Sequence, residues 1–259
     1  MIQKYRQGGS TPNIAVTVAQ QVKNPTLILK IVNSASYSPT YHVSPCSWVS
    51  IFGQNLADST VLATKVPLGA SLGNASTALG GAALPLDYVD NGQINAQIPC
   101  GLNANTQLDL QVVHGDVQSP TEQVVVSDSQ PALFTINQQG VGQGAIFWTT
   151  PDGYHVPADA NNPVSAGNVV EIYCTGLGSV NPPVQEGTAS PTPAATTTQT
   201  PVVTIGGLQA QVTFSGLTPG SVGLYQVNAV IPPGVLTGTV VVTVGGQASQ
   251  DGVTIAVKQ

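Results

Sequence analysis

Two stretches of this chain are versions of one another, and a repeat of this kind restricts the fold to architectures assembled from two similar units. Residues 43–56 read VSPCSWVSIFGQNL and residues 164–177 read VSAGNVVEIYCTGL. They align without a gap, with identities at Val43/Val164, Ser44/Ser165, Val49/Val170, Ile51/Ile172 and Leu56/Leu177, and with Phe52 opposite Tyr173. Further along, GQINAQIP (92–99) matches YQVNAVIP (225–232), sharing Gln93/Gln226, Asn95/Asn228, Ala96/Ala229, Ile98/Ile231 and Pro99/Pro232. Gly80-Gly81 precedes the second block in one copy and Gly206-Gly207 in the other. Each block is followed by a strand-like run, a Gly turn and another run. Gly pairs between β-branched runs are hairpin signals, because tight turns need positive φ.

Each copy therefore offers six or seven short strands, which is the content of an immunoglobulin-like module of about 100 residues. The 28 Gly and 20 Pro in 259 residues suit strands and turns rather than long helices. The expected fold class is all-β: two tandem immunoglobulin-like β-sandwich domains with an N-terminal extension strand. Residues 1–30 form the extension, 31–130 the first domain, 131–163 a hairpin at the junction and 164–259 the second domain. Residues 190–201, SPTPAATTTQTP, read as a solvated loop whose Thr and Pro also suit O-glycosylation.

Only 7% of residues are charged, against roughly a quarter in an average soluble domain. The surface must then be built from hydroxyls and amides, which fits an extracellular or cell-surface protein that packs against copies of itself or against glycans. The net charge of −6 supplies no field for a phosphate backbone, so nucleic acid is excluded as a partner. No run approaches the roughly 18 apolar residues of a membrane span. The opening MIQKYRQGGSTPN lacks the apolar stretch of a signal peptide, so the expected export signal lies outside this sequence.

Several motifs, in order, resemble a known family: NSASY (33–37), the VSPCSWVSIFGQNLA run, NGQINAQIP, PALF (131–134), IYCTGLG and LYQVNAVIP. They look like the C-terminal domain family of large exported proteins of Solibacter-type acidobacteria. The resemblance runs from about Ile31 to the end and implies tandem immunoglobulin-like or TIG-like folding in a secreted context. It implies no reaction. Cys46 departs from the family's Pro-Gly-Ser turn, and the second copy keeps Gly167 at that place.

Three cysteines allow one disulfide and one free thiol. Cys46 opens one strand and Cys100 follows another that is its expected antiparallel neighbour. The second copy has Gly167 and Pro233 at the matching places, so both cysteines are missing there together. A Cys46–Cys100 bond is expected, with a bond from Cys46 to another subunit as the alternative, and Cys174 as a buried thiol.

A catalytic constellation needs a nucleophile, a base and an orienting group together. His42, His114 and His155 are scattered, with no metal-binding spacing, and no nucleophile elbow, phosphate loop or CxxC pair occurs. The expectation is no enzyme, no catalytic residue and no cofactor. Calcium is the metal that two oxygen clusters would take: Asp87, Asp90 and Asn91, and Asp152, Asp159, Asn161 and Asn162. Both read equally as turn residues. Trp48 lies within a strand and is expected in the core, while Trp148 stays open between core and carbohydrate platform.

Asn13 to Ala19 reads NIAVTVA. It is either an ordinary extra strand or a donor strand, Ile14, Ala15, Val16, Thr17 and Val18, that completes a neighbour's sheet. The second reading makes the chain a subunit of a homopolymeric, pilus-like surface filament acting in adhesion. The alternative is an accessory ligand- or carbohydrate-binding module of a larger secreted protein.

Overall fold

A computed structural model describes residues 24–39 and 42–258. The donor-strand residues Ile14 to Val18 lie outside this part. Among the described residues every regular element is a strand. The first half is organised by β1 (Leu27–Asn33), β2 (Trp48–Gln54), β3 (Ala75–Leu79), β4 (Leu86–Val89), β5 (Gln93–Gln97), β6 (Thr106–His114) and β7 (Glu122–Val126). The second half is organised by β8 (Ile146–Thr149), β9 (Val169–Thr175), β10 (Val202–Ile205), β11 (Leu208–Leu217), β12 (Tyr225–Val230), β13 (Gly238–Val244) and β14 (Val253–Ile255).

In the first half β1-β2-β5-β4 form one sheet and β7-β6-β3 the other. Alternation decides what lies between them: every second residue of a strand faces the same side. Ile31, Val49, Ile51, Ile94 and Ala96 from one sheet meet Leu79, Leu110, Val112 and Val124 from the other in a single buried cluster. The second half repeats the arrangement with β8-β9-β12-β11 and β10-β13-β14, joined through the β10–β11 pairing. Its core gathers Ile146, Ile172, Val227 and Ala229 against Val203, Ile205, Val240 and Val242.

The pairing registers of the two halves coincide. Val49 opposes Ala96 and Ile51 opposes Ile94, while Val170 opposes Ala229 and Ile172 opposes Val227. Ile31 opposes Ile51 as Ile146 opposes Ile172. Gly80-Gly81 and Gly206-Gly207 both turn with two positive φ values, which fits the two-residue hairpin. Even a side-chain clasp recurs: Ser119 Oγ accepts from Val112 N at 3.0 Å, and Ser249 Oγ from Val242 N at 3.1 Å.

Three sequence expectations need correction. Residues 131–163 contain a hairpin, β8 against His155–Pro157, but it belongs to the second half rather than to a separate junction, because Ala132–Leu133 and β8 both pair with β9 and Leu133, Ile146, Trp148 and Ala158 enter its core. Residues 190–201 are not simply a solvated loop: Ser190, Ala195 and Pro201 are buried, and Thr196–Thr197 pairs with neighbouring strands. Trp48 is not the core residue expected, and Trp148, left open, is the buried one. Trp148 is only 8% exposed and donates its indole N–H to Asn162 O at 3.0 Å, whereas Trp48 points its ring out of its sheet toward the second half.

Candidate functional site: a cleft at the seam between the two halves

The halves meet along a hydrogen-bonded seam. Trp48 N donates to Thr175 Oγ1 at 2.9 Å, and its indole N–H donates to Val222 O at 3.1 Å. Asn33 Nδ2 donates to Gln130 O at 3.2 Å, and Gly187 N donates to the buried Gln97 Oε1 at 2.6 Å. A Cβ on Gly223 would lie 2.5 Å from Gln97 Nε2 and 2.9 Å from Trp48 Nε1, so only glycine lets this loop approach so closely. The fully buried Tyr225 bridges both halves, donating to Gly178 O with Pro45 O as a weaker second acceptor at 3.4 Å.

Cys46 and Cys100 are joined by a disulfide at the same seam. Cys46 belongs to the second half's buried cluster, and Cys100 packs against it. Cys46 has φ 63°, and Gly167, its counterpart in the repeat, has φ 85°. The turn therefore needs a left-handed residue in both halves, and the cysteine tolerates that backbone in exchange for the bond. Cys174 is a free, fully buried thiol whose pKa burial pushes far up, which removes its reactivity.

Beside the seam lies a cleft of about 390 Å³, within the range of ligand pockets. The first half contributes Tyr37, Trp48 and Asp87, and the second contributes Phe134, Thr135 and Gln138. Its floor is a polar chain. Ser34 Oγ and Ser50 Oγ are 2.9 Å apart, Ser50 Oγ donates to Asn95 Oδ1 at 2.8 Å, and Gln93 Nε2 donates to the same oxygen at 2.8 Å. With its oxygen doubly engaged, the Asn95 Nδ2 group has no partner among the described residues. The far wall stays close because Gly140 sits against Ser36, where a Cβ would come within 2.3 Å of the Ser36 carbonyl.

Backbone conformation singles out the same place. Six non-glycine residues have positive φ among the described residues, and three of them are asparagines, which tolerate it. The others are Cys46, Tyr37 (φ 54°) and Gln138 (φ 56°). Tyr37 and Gln138 both line the cleft, one from each half. Strained backbone of this kind persists where it positions a side chain for use.

Asp87 is placed by a β-bulge: Leu86 opposes Ala96 and Tyr88 opposes Asn95, which leaves Asp87 without a partner on β5, while its carbonyl accepts from Ala63 N at 2.7 Å on the other side. Bulges re-aim side chains beside sites. Its carboxyl is half-buried and accepts no hydrogen bond among the described residues, and burial raises its pKa. The second half carries the same bulge, with Val212 opposite Ala229 and Phe214 opposite Asn228, and the residue left out there is Thr213. The structural Gln-to-Asn bond recurs as well, from Gln226 to Asn228 at 2.7 Å. The second half is thus a built-in comparison: framework residues repeat, while Trp48, Ser50 and Asp87 are replaced by Val169, Glu171 and Thr213.

The other expected sites are dispersed. Asp90 Oδ1 accepts from Gly92 N and Gln93 N, each at 2.7 Å, and Oδ2 accepts from Tyr88 O–H at 2.5 Å. Asp159 Oδ1 likewise accepts from Asn161 N and Asn162 N, each at 2.9 Å. These carboxylates close turns, and Asp87 faces the cleft apart from Asp90 and Asn91. The histidines serve separate contacts. His114 Nε2 lies 2.8 Å from Asp58, whose pKa is lowered by this contact first, and His42 Nδ1 lies 3.0 Å from Ser127 Oγ. His155 stacks on Phe147 with ring centroids 5.1 Å apart and lies 3.2 Å from Glu171, beside Tyr173, whose pKa is pushed up to about 12 by burial and then by Glu171.

No protein-family model and no curated protein sequence matches the chain. Solved structures share slight likeness. One is a Bacteroides ovatus protein, SGBP-B of a mixed-linkage glucan utilization locus, in complex with a mixed-linkage heptasaccharide (16% identity, 92% of this chain, 47% of that one, TM-score 0.37). Another is the surface glycan-binding protein PbSGBP-B of Prevotella bryantii (10% identity, 88% and 41%, TM-score 0.29). A third is the Escherichia coli adhesin FdeC (11% identity, 89% and 64%, TM-score 0.26). The chain spans less than half of the first two and under two thirds of the third. Likeness at this level transfers neither fold nor ligand, so the site is argued from its own residues.

Proposed function

We propose that this chain is a non-enzymatic, extracellular carbohydrate-binding module, built of two immunoglobulin-like sandwiches in tandem and acting at a cell surface. The observation that carries the reading is the seam cleft. It combines aromatic rings with fixed amide and hydroxyl groups, the mixture that meets both the apolar faces and the hydroxyls of a sugar. The left-handed Tyr37 and Gln138 and the bulged Asp87 show side chains positioned at some cost to the backbone. Binding rather than catalysis suits the cleft because its serine hydroxyls are engaged with one another and with Asn95 rather than with a base. The matched registers of the two halves support the tandem reading.

The test is affinity electrophoresis through gels containing single polysaccharides, comparing the parent chain with Tyr37→Asn. Asparagine accepts the left-handed backbone, so the change removes the ring without adding strain. Loss of retardation at unchanged melting temperature supports the cleft, and retardation unaffected by the change refutes it. Self-association through Ile14 to Val18, the expectation for a filament, concerns residues outside the described part. Its separate test is sedimentation velocity of the chain lacking residues 1–23.

A further inference from the structure

We propose that Asp87 is the specificity-determining residue of the cleft, selecting an uncharged saccharide that donates a hydroxyl to its carboxylate and rejecting uronic-acid and sulfated sugars. The inference rests on the carbohydrate reading of the same cleft.

Three observations carry it. Among the described residues that line the cleft, Asp87 is the one ionisable acid or base besides the phenol of Tyr37, and none is a lysine, arginine or histidine. An anionic ligand therefore meets a like charge and no counter-charge, in surroundings of lower dielectric than water. Second, among the described residues the carboxylate accepts nothing, and the Nδ2 group of Asn95, which lines the same cleft, donates to nothing. Such a pair, one open acceptor and one open donor, matches a sugar hydroxyl and its neighbour, each able to donate and accept. Third, the fold does not require an acid here. The identical bulge in the second half carries Thr213, whose Oγ1 donates to Asn228 O at 3.3 Å. Thr213 also lines a surface cleft, with Thr197, Thr200 and Phe214, so a bulge that opens on a cleft does not by itself call for an acid. A half-buried carboxylate is hydrated less well than a free one, and a ligand hydroxyl that donates to it offsets that loss.

The experiment compares the parent chain with Asp87→Thr, which installs the residue the second half already uses. Both are run through gels containing neutral polymers (β-glucan, xylan, galactomannan), acidic polymers (polygalacturonate, alginate) and chitosan, in 1 M salt, where the screening length is about 3 Å. Retardation of the parent chain by a neutral polymer and not by the acidic ones is expected. Asp87→Thr should weaken the neutral interaction on the order of ten- to a hundred-fold, the worth of a hydrogen bond to a charged group. The inference is overturned if an acidic polymer or chitosan binds the parent chain best, or if Asp87→Thr leaves neutral binding unchanged. In those outcomes sensitivity to Tyr37→Asn still upholds the cleft as the site. If no polymer is retarded, or Tyr37→Asn has no effect, the carbohydrate reading falls and this inference with it.

Discussion

Replacing Cys100 by Ser opens the disulfide while leaving Cys46 in its turn and in the second half's core. The bond spans 54 residues. For a loop of that length the chain-entropy relation gives an entropy near 14 cal/mol/K, or about 4 kcal/mol at room temperature. In a chain of this size that corresponds to a fall of roughly 8–16 °C in melting temperature. Guanidinium unfolding, followed by tryptophan fluorescence with and without dithiothreitol, measures it. Oxidised parent chain should lose about 4 kcal/mol on reduction, whereas Cys100→Ser should start at the lower value and show no further response, because Cys174 is already a free thiol. An unchanged midpoint for reduced parent chain, or a reductant effect that persists in Cys100→Ser, would refute the reasoning.

Ile51→Ala and Ile172→Ala sit at matched, fully buried positions and should each cost about 2–5 kcal/mol in urea unfolding; a neutral result at either contradicts the matched cores. Gly223→Val forces a side chain into Gln97 and Trp48, so a loss of about 1–3 kcal/mol and a red-shifted Trp48 emission are expected, and an unshifted spectrum means that the seam is not closed there. Asp87→Asn bears on pH. Because burial raises the Asp87 pKa in the fold, the parent chain gains relative stability below the ordinary carboxylate pKa and loses it as pH rises through the raised value. Asp87→Asn should flatten that part of the stability profile, and parallel profiles for the two proteins rule the burial argument out.

The all-β class and the core positions Ile51, Ile98, Ile172 and Ile231 are legible in the sequence because they rest on local signals: alternating apolar residues, Gly-Gly turns and two blocks that repeat. Ile51 and Ile172 announce their burial by position alone. The cleft was not legible, since it depends on how the two halves meet. Trp48 looks like a core residue within its strand, and only the seam shows its ring turned toward Val222. Asp87 stands close to Asp90 and Asn91 in sequence, yet it lines the cleft while Asp90 closes its own turn. Aligning the matched blocks outward to Asp87 and Thr213 was the one available signal, and it requires knowing that each strand skips a residue. Residues 190–201 misled by composition, since a Thr- and Pro-rich string still buries Ser190, Ala195 and Pro201 when neighbouring strands receive it.

The paired bulges have a consequence for how such a protein acquires new ligands. At each bulge one residue has no opposite partner on the neighbouring strand, so its side chain can change without breaking that strand pairing. Asp87 and Thr213 are two solutions tolerated by one backbone. Diversity can therefore be written into these positions one substitution at a time, and libraries confined to them, with the framework pairs Gln93–Asn95 and Gln226–Asn228 held fixed, should keep the fold while sampling new recognition.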